Sequence, residues 1–218
     1  MPVSQRPLVP AQEARVEVRV QNSRFIASAA PAFSVEQAQA FITRIRREFP
    51  DATHHVSAYL IGHGATVIAH CHDDGEPSGT AGRPALAVLQ GSGLGDVAVV
   101  VTRYFGGTRL GTGGLVRAYS EAVRQVLALL PRAVKVPAHT VRIETPYPLI
   151  ERVRHAIESH GGQVTAQEFG AEVTLSAWLP VEQFPAFQAA LQVLSDGSVQ
   201  AQIIPTDETP QYLLQNPS

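Results

Sequence analysis

The chain has a single cysteine, Cys71, among 218 residues, so no disulfide framework holds it together. No stretch approaches the roughly 18 consecutive apolar residues of a membrane span, and the opening MPVSQRPLVPAQEARVEV has no apolar signal core. A cytoplasmic protein without a membrane partner is the expectation. Lysine is nearly missing: Lys135 is the one basic residue that is not arginine. Net charge is only −2, so no global field recruits nucleic acid and any RNA contact has to come from a local patch. With 44% hydrophobic and 17% charged residues the composition is that of a folded chain rather than a disordered one. Its length exceeds the usual domain size of about 100–150 residues, which fits two modest domains.

Glycine is what the chain has in concentrated form. Two stretches, DDGEPSGTAGRP (Asp73 to Pro84) and RYFGGTRLGTGGLVRAYSEA (Arg103 to Ala122), mix glycines, hydroxyls, carboxylates and arginines in a way that a hydrophobic core does not need. Between them DVAVVVT, Asp96 to Thr102, is apolar and β-branched and reads as a central strand. The two loops are therefore expected to meet.

In the second stretch Gly106, Gly107, Gly111, Gly113 and Gly114 follow the strand, and Leu115 to Leu130 repeats apolar residues, Tyr119 among them, at helical spacing. Strand, glycine loop and helix make a place for an oxyanion. Glycines let the backbone approach closely, and the free amides and positive dipole end of the helix favour negative charge. The literal phosphate motifs are absent. No lysine precedes Thr112 as a P-loop requires, and Val116 stands where G-x-G-x-x-G needs its last glycine. Arg103 ends the apolar strand and Arg109 sits among glycines, so both are candidates to hold an anion. Arg117 and Arg124 lie seven apart with Glu121 between them, the pattern of a solvated salt-bridge face, which suits Arg124 best.

The first stretch offers Asp73, Asp74, Glu76, Ser78, Thr80 and Arg83 ahead of Pro84, a favourable first-turn residue for a helix over Ala85 to Gln90. Three carboxylates in four residues suit either a divalent cation and acid–base work or the ordering of glycine loops by pairing with Arg83, Arg103 or Arg109. The EF-hand pattern is missing, which favours pairing. His54, His55, His70, Cys71 and His72 have no recognised zinc spacing, Cys71 beside His72 is not a triad, and Ser78 does not sit in G-x-S-x-G. No catalytic residue, metal or cofactor is assigned.

Along the rest of the chain, strands are expected at Arg15 to Val20 and Phe25 to Ala27, and Ser34 with Gln37 forms a capping box for a helix that stops before Pro50. Val56 to Ile61 and Ala65 to Ala69 read as a hairpin across Gly62-His63-Gly64. Pro131 and Pro137 bracket a linker. Beyond it, strand His139 to Thr145, a Pro148-initiated helix, strands Val164 to Phe169 and Glu172 to Leu179, helix Glu182 to Leu194 and strand Val199 to Ile204 follow the β-α-β-β-α-β order of the ferredoxin-like fold. The fold class is α+β. Residues 1–13 are expected to be a flexible N-terminus, 14–134 and 135–205 the two domains, and 206–218 a flexible tail.

DDGEPSGTAGRP followed by VVVTRYFGGTRLGTGGLVRAY resembles the signature of the IMPACT/YigZ family, and the resemblance extends to SRFIA (Ser23 to Ala27) and ATHHVSAY (Ala52 to Tyr59). His54 matches the family pattern, whereas His55 stands where Asn is commoner. The resemblance implies an N-terminal α/β sandwich like a ribosomal small-subunit protein domain and domain IV of elongation factor G. It implies a C-terminal ferredoxin-like domain similar to domain V of that factor. Eukaryotic relatives restrain a stress kinase that acts on an initiation factor, through further parts not evident here, so "translation-associated" carries over and the kinase does not.

The sequence thus leads to a non-enzymatic, translation-associated regulatory protein. Its expected partner is RNA, the ribosome or a translation factor. The expected contact is an anion surface of Arg103, Gly106, Gly107, Arg109, Gly111, Thr112, Gly113, Gly114 and Arg117, electrostatic rather than base-reading, with Tyr104 and Phe105 as the nearby rings. A phosphate- or nucleotide-handling enzyme with a metal on Asp73, Asp74 and Glu76, and a protein-binding module, are the alternatives.

Overall fold

The computed structural model describes residues 7–205 and 212–215. The chain divides into two compact units after Ala133. The first unit holds β1 (Leu8–Pro10), β2 (Ala14–Val20), β3 (Ser23–Pro31), α1 (Val35–Glu48), β4 (His54–Ile61), β5 (Ile68–His72), α2 (Gly82–Gln90), β6 (Val97–Tyr104) and α3 (Gly111–Leu129). Strands β2 to β6 form one antiparallel sheet in the order β2-β3-β6-β4-β5, with β6 in the middle.

The unbroken apolar run of β6 follows from burial on both faces. Val97, Val99 and Val101 point to the layer of α2 and α3, where Leu89, Tyr119, Val123 and Val126 are buried. Ala98 and Val100 point to α1, whose Ala38, Phe41 and Ile45 pack on the opposite face with Ala30, Tyr59 and Ile61. Three layers result, helix, sheet and helices. The start of α1 is fixed as the sequence predicts, by Ser34 Oγ accepting from the Gln37 amide at 3.2 Å. The return bond of the box lands one residue earlier, Gln37 accepting from the Phe33 amide at 2.8 Å.

The second unit holds the remainder of β7 (Arg132–Thr145), then α4 (Ile150–Ser159), β8 (Gln163–Phe169), β9 (Val173–Pro180), α5 (Phe184–Leu194), β10 (Ala201–Ile203) and β11 (Tyr212–Gln215). The antiparallel order β10-β7-β9-β8 is the ferredoxin-like one. Every second residue of β9 is buried, and Leu175, Ala177 and Leu179 meet Val153 and Ile157 of α4 and Phe187 and Leu191 of α5. The protein is α+β with two antiparallel sheets.

Several boundaries differ from the sequence expectation. Helix α3 begins at Gly111 rather than Leu115, so three of the loop glycines form its first turn. The hairpin after β4 closes through a one-turn 3-10 helix at Gly64–Thr66, and β5 starts only at Ile68. Asp96 pins that turn, its carboxylate accepting from the Gly62 amide and facing His63 at 3.2 Å. The linker expected between Pro131 and Pro137 is the first half of β7, a 14-residue strand. That strand offers residues 134–137 as an edge, and Tyr212–Gln215 of the expected tail pair with it. Backbone bonding, to which apolar content is no guide, recruits that segment. Leu8–Pro10 likewise leaves the expected flexible N-terminus, with Val9 fully buried. Residues 1–6, 206–211 and 216–218 lie outside the described residues.

Candidate functional site

Parity along three adjacent strands builds the site. Phe25 on β3, Arg103 on β6 and His54 on β4 are directly opposite one another. Arg103 has the parity of Val97, Val99 and Val101, so its side chain goes into the α2 and α3 layer and is only 5% exposed. An arginine there requires a partner. Glu76 supplies it: Oε1 accepts from Arg103 Nη1 at 2.6 Å and from the Tyr119 hydroxyl at 2.6 Å. Ser23 Oγ accepts from Arg103 Nη2 and from the Gly106 amide, both at 3.3 Å, and the guanidinium lies 5.3 Å from the Phe25 ring and 5.5 Å from the Phe105 ring. Arg103 Nε is buried without a hydrogen-bond partner among the described residues. Tyr119 crosses Phe25 edge-on at 5.2 Å, and burial, reinforced by the bond to Glu76, pushes its phenol well above the usual range.

The carboxylates of the first loop are each committed. Asp73 caps α2 from eight residues upstream of the Ala81 N-cap position, its Oδ1 accepting from the Ala81 and Gly82 amides and its Oδ2 from Gly79. Burial works against the charged form of Asp73, but those three amides outweigh it and hold the carboxyl below its ordinary value. Asp74, at φ +49°, accepts from the His55 amide and from Arg46, each at 2.6 Å. Arg46 thus takes the place expected for Arg83 or Arg109. Thr80 is tied into the turn at Pro77, Ser78 is exposed, and Arg83 faces a groove of about 860 Å³ between α2 and α3 rather than Arg103.

Among the described residues no group of three or more His, Cys, Asp or Glu side chains is arranged for a metal ion. The histidines are dispersed. His70 stacks on Tyr59, His72 Nδ1 accepts from the Asp74 amide, and His55 is buried against Thr102, its imidazole held below its ordinary value by burial. Burial, then the charge of Asp73, raises the Cys71 thiol.

What remains open is a cleft of about 550 Å³ whose walls include His54, Glu76, Arg103, Phe105, Arg109 and Gly111 with Thr112. Helix α3 begins in this wall. Leu110 at its N-cap position makes no side-chain cap, Gly111 takes φ +72°, and Gly111, Thr112 and Gly113 are exposed, so the first-turn amides, which have no partner within the helix, lie at the surface. Arg109 and Arg117 are exposed with no ion pair among the described residues, whereas Arg124 binds Glu121 at 3.2 Å. Gly107, at φ +84°, gives the turn its direction, and a Cβ on Gly106 would sit 1.9 Å from the Asn22 carbonyl oxygen.

The structure therefore separates the expected anion surface. Arg109, Gly111, Thr112, Gly113 and Arg117 are at the surface, whereas strand parity turns Arg103 inward onto Glu76, at the back of the cleft wall. Tyr104 is also engaged: its hydroxyl donates to Asp51 and Arg24 covers its ring, leaving Phe105, which Arg103 approaches on one side but which is 45% exposed, as the more open ring. Residue reasoning missed Ser23, Arg46 and the Tyr119 hydroxyl. The signal for Tyr119 was a phenol among helix core positions, whose polar tip must find a partner when buried.

The fold and this cluster define a two-domain α+β protein with a glycine-arginine cleft in its first domain. Residues 21–127 match the Impact N-terminal domain and residues 143–198 a domain of unknown function, DUF1949. The IMPACT family member YigZ of Escherichia coli (strain K12) is 39% identical over 88% of this chain and 95% of its own length. An IMPACT family member of Haemophilus influenzae is 36% identical over 92% of this chain and 98% of its own. A crystal structure described as that of "an hypothetical protein" superposes with a TM-score of 0.61 at 38% identity, covering 92% of this chain and 98% of the other. The chain belongs to the IMPACT family.

Proposed function

We propose that the protein is a translation-associated RNA-binding protein whose first domain holds a backbone phosphate in the cleft at the start of α3. One observation carries this: the start of α3 at Gly111 and Thr112, which has no side-chain cap, and Arg109, which has no ion pair among the described residues, line the same hollow. Amides and dipole favour an anion there, and Arg109 adds a full charge with a guanidinium suited to phosphate. Phe105 beside them offers one stacking face, enough to hold one base but too little to read a sequence. Arg117, on the exposed side of α3, extends the basic surface beyond the cleft.

Binding of this kind is electrostatic and salt-sensitive. Each phosphate contact to a single strand contributes about −0.7 to the slope of log affinity against log salt. Filter binding to ribosomes and to a structured RNA across a salt series should therefore give a slope flattened by about 0.7 in Arg109→Ala, and again in Arg117→Ala, for every sequence alike. Unchanged binding in the double variant would remove RNA from this surface and leave a protein partner as its occupant.

A further inference from the structure

We infer, on the reading above that the cleft takes an RNA phosphate, that it also cleaves the strand, with His54 as the general base that draws the proton from a ribose 2′-hydroxyl. The proton position on His54 follows from its surroundings. Nδ1 lies 2.8 Å from the Asp74 carbonyl oxygen, which can only accept, so Nδ1 carries the hydrogen and Nε2 of the neutral ring keeps its lone pair. Asp74 presents that carbonyl from a turn, in a left-handed conformation that aspartate tolerates, followed by Gly75.

Nε2 lies 3.9 Å from Glu76 Oε1. That distance is too long for a hydrogen bond, so the lone pair is not consumed, while the carboxylate stays next to the ring. Glu76 cannot swing away, because Arg103 and Tyr119 hold the same oxygen at 2.6 Å each. It acts as a positioning residue. Base, fixed carboxylate and anion donors thus share one cleft wall.

The step balances without a redox partner. The 2′-oxygen bonds to the adjacent phosphorus, the bond from phosphorus to the 5′-oxygen breaks, the 2′-proton passes to His54 Nε2, and the departing 5′-oxygen takes a proton from water, whose hydroxide the proton on His54 then neutralises to restore the free base. The products are a 2′,3′-cyclic phosphate and a 5′-hydroxyl. The added charge on the phosphoryl oxygens in the transition state faces Arg109 and the α3 amides, where such donors act most strongly.

The test uses the full chain and a 5′-labelled single-stranded RNA oligonucleotide, with its DNA counterpart alongside and filter binding in the same samples. The wild type should cut RNA to a cyclic phosphate end and leave DNA intact. His54→Ala and His54→Gln should keep the wild-type circular dichroism and, at RNA concentrations that saturate each variant, lose about 100-fold or more in rate, the low end of what a general base supplies. Binding without any cleavage by the wild type overturns this inference and leaves the binding proposal standing. Cleavage undiminished in both variants also overturns it. If the wild type binds no RNA, the binding proposal fails and the cleavage inference with it.

Discussion

Replacing Arg103 by Met tests whether the buried pair holds the first domain together. The Arg103 and Glu76 side chains are 5% and 3% exposed, so Arg103→Met leaves a carboxylate in the interior with the Tyr119 hydroxyl as its close donor. Removing one member of a buried pair costs about 3–5 kcal/mol, because the other is left charged and uncompensated. For a domain of this size, with a urea dependence of about 2 kcal/mol per molar, the unfolding midpoint should fall by about 1.5–2.5 M. Removing both charges should cost much less than the single change. Glu76→Gln in the Arg103→Met background still accepts from Tyr119 and buries no ion, so the double variant should recover about 2 kcal/mol or more. The assay is urea unfolding followed by far-ultraviolet circular dichroism, with the fluorescence of Trp178, the sole tryptophan and a residue of β9, reporting the second domain separately. A single-variant loss under about 1 kcal/mol, or a double variant no more stable than the single, would refute the reasoning.

Three further outcomes can be checked. Asp73→Asn should destabilise the protein at neutral pH by about 1–2 kcal/mol, since an amide cannot accept from all three donors at the start of α2. The folded carboxyl lies below its ordinary 3.8, so this contribution is full above the unfolded value and fades as pH falls through the folded one. Wild type and variant should therefore converge in acid denaturation, and a gap that persists at low pH would count against the cap. Gly106→Ala should cost about 1–3 kcal/mol, because its Cβ meets backbone at Asn22 rather than a side chain that can move; a neutral result in thermal unfolding would contradict that contact. In an alkaline ultraviolet titration one of the five tyrosines, Tyr119, should ionise only when the chain unfolds, and Tyr119→Phe should remove that late step. Neutral Tyr119 contributes stability up to the ordinary phenol value, and the contribution declines as pH rises above it.

The apolar run of β6, the Ser34 start of α1 and the element order of the second domain were legible in the sequence, because each is a local pattern in which neighbours along the chain determine the outcome. The meeting of the two glycine stretches was legible too, since a strand between them has to carry their ends to one side of a sheet. The extent of β7 was not, because a strand is completed by partners distant in sequence, here β9, β10 and β11. Arg103 shows the limit most plainly. Its residue type suggests a surface cation, and only the sheet order, which places β6 in the centre with α2 and α3 over one face, turns the side chain inward onto Glu76. The same order puts His54 beside it, and gives the uncapped start of α3 a cleft to face. Composition and spacing specified which chemical groups the site has available. Tertiary packing decided which of those groups compensate one another in the interior and which, Arg109 and the start of α3, lie at the cleft, because charge compensation in a buried layer depends on distances that no sequence separation encodes.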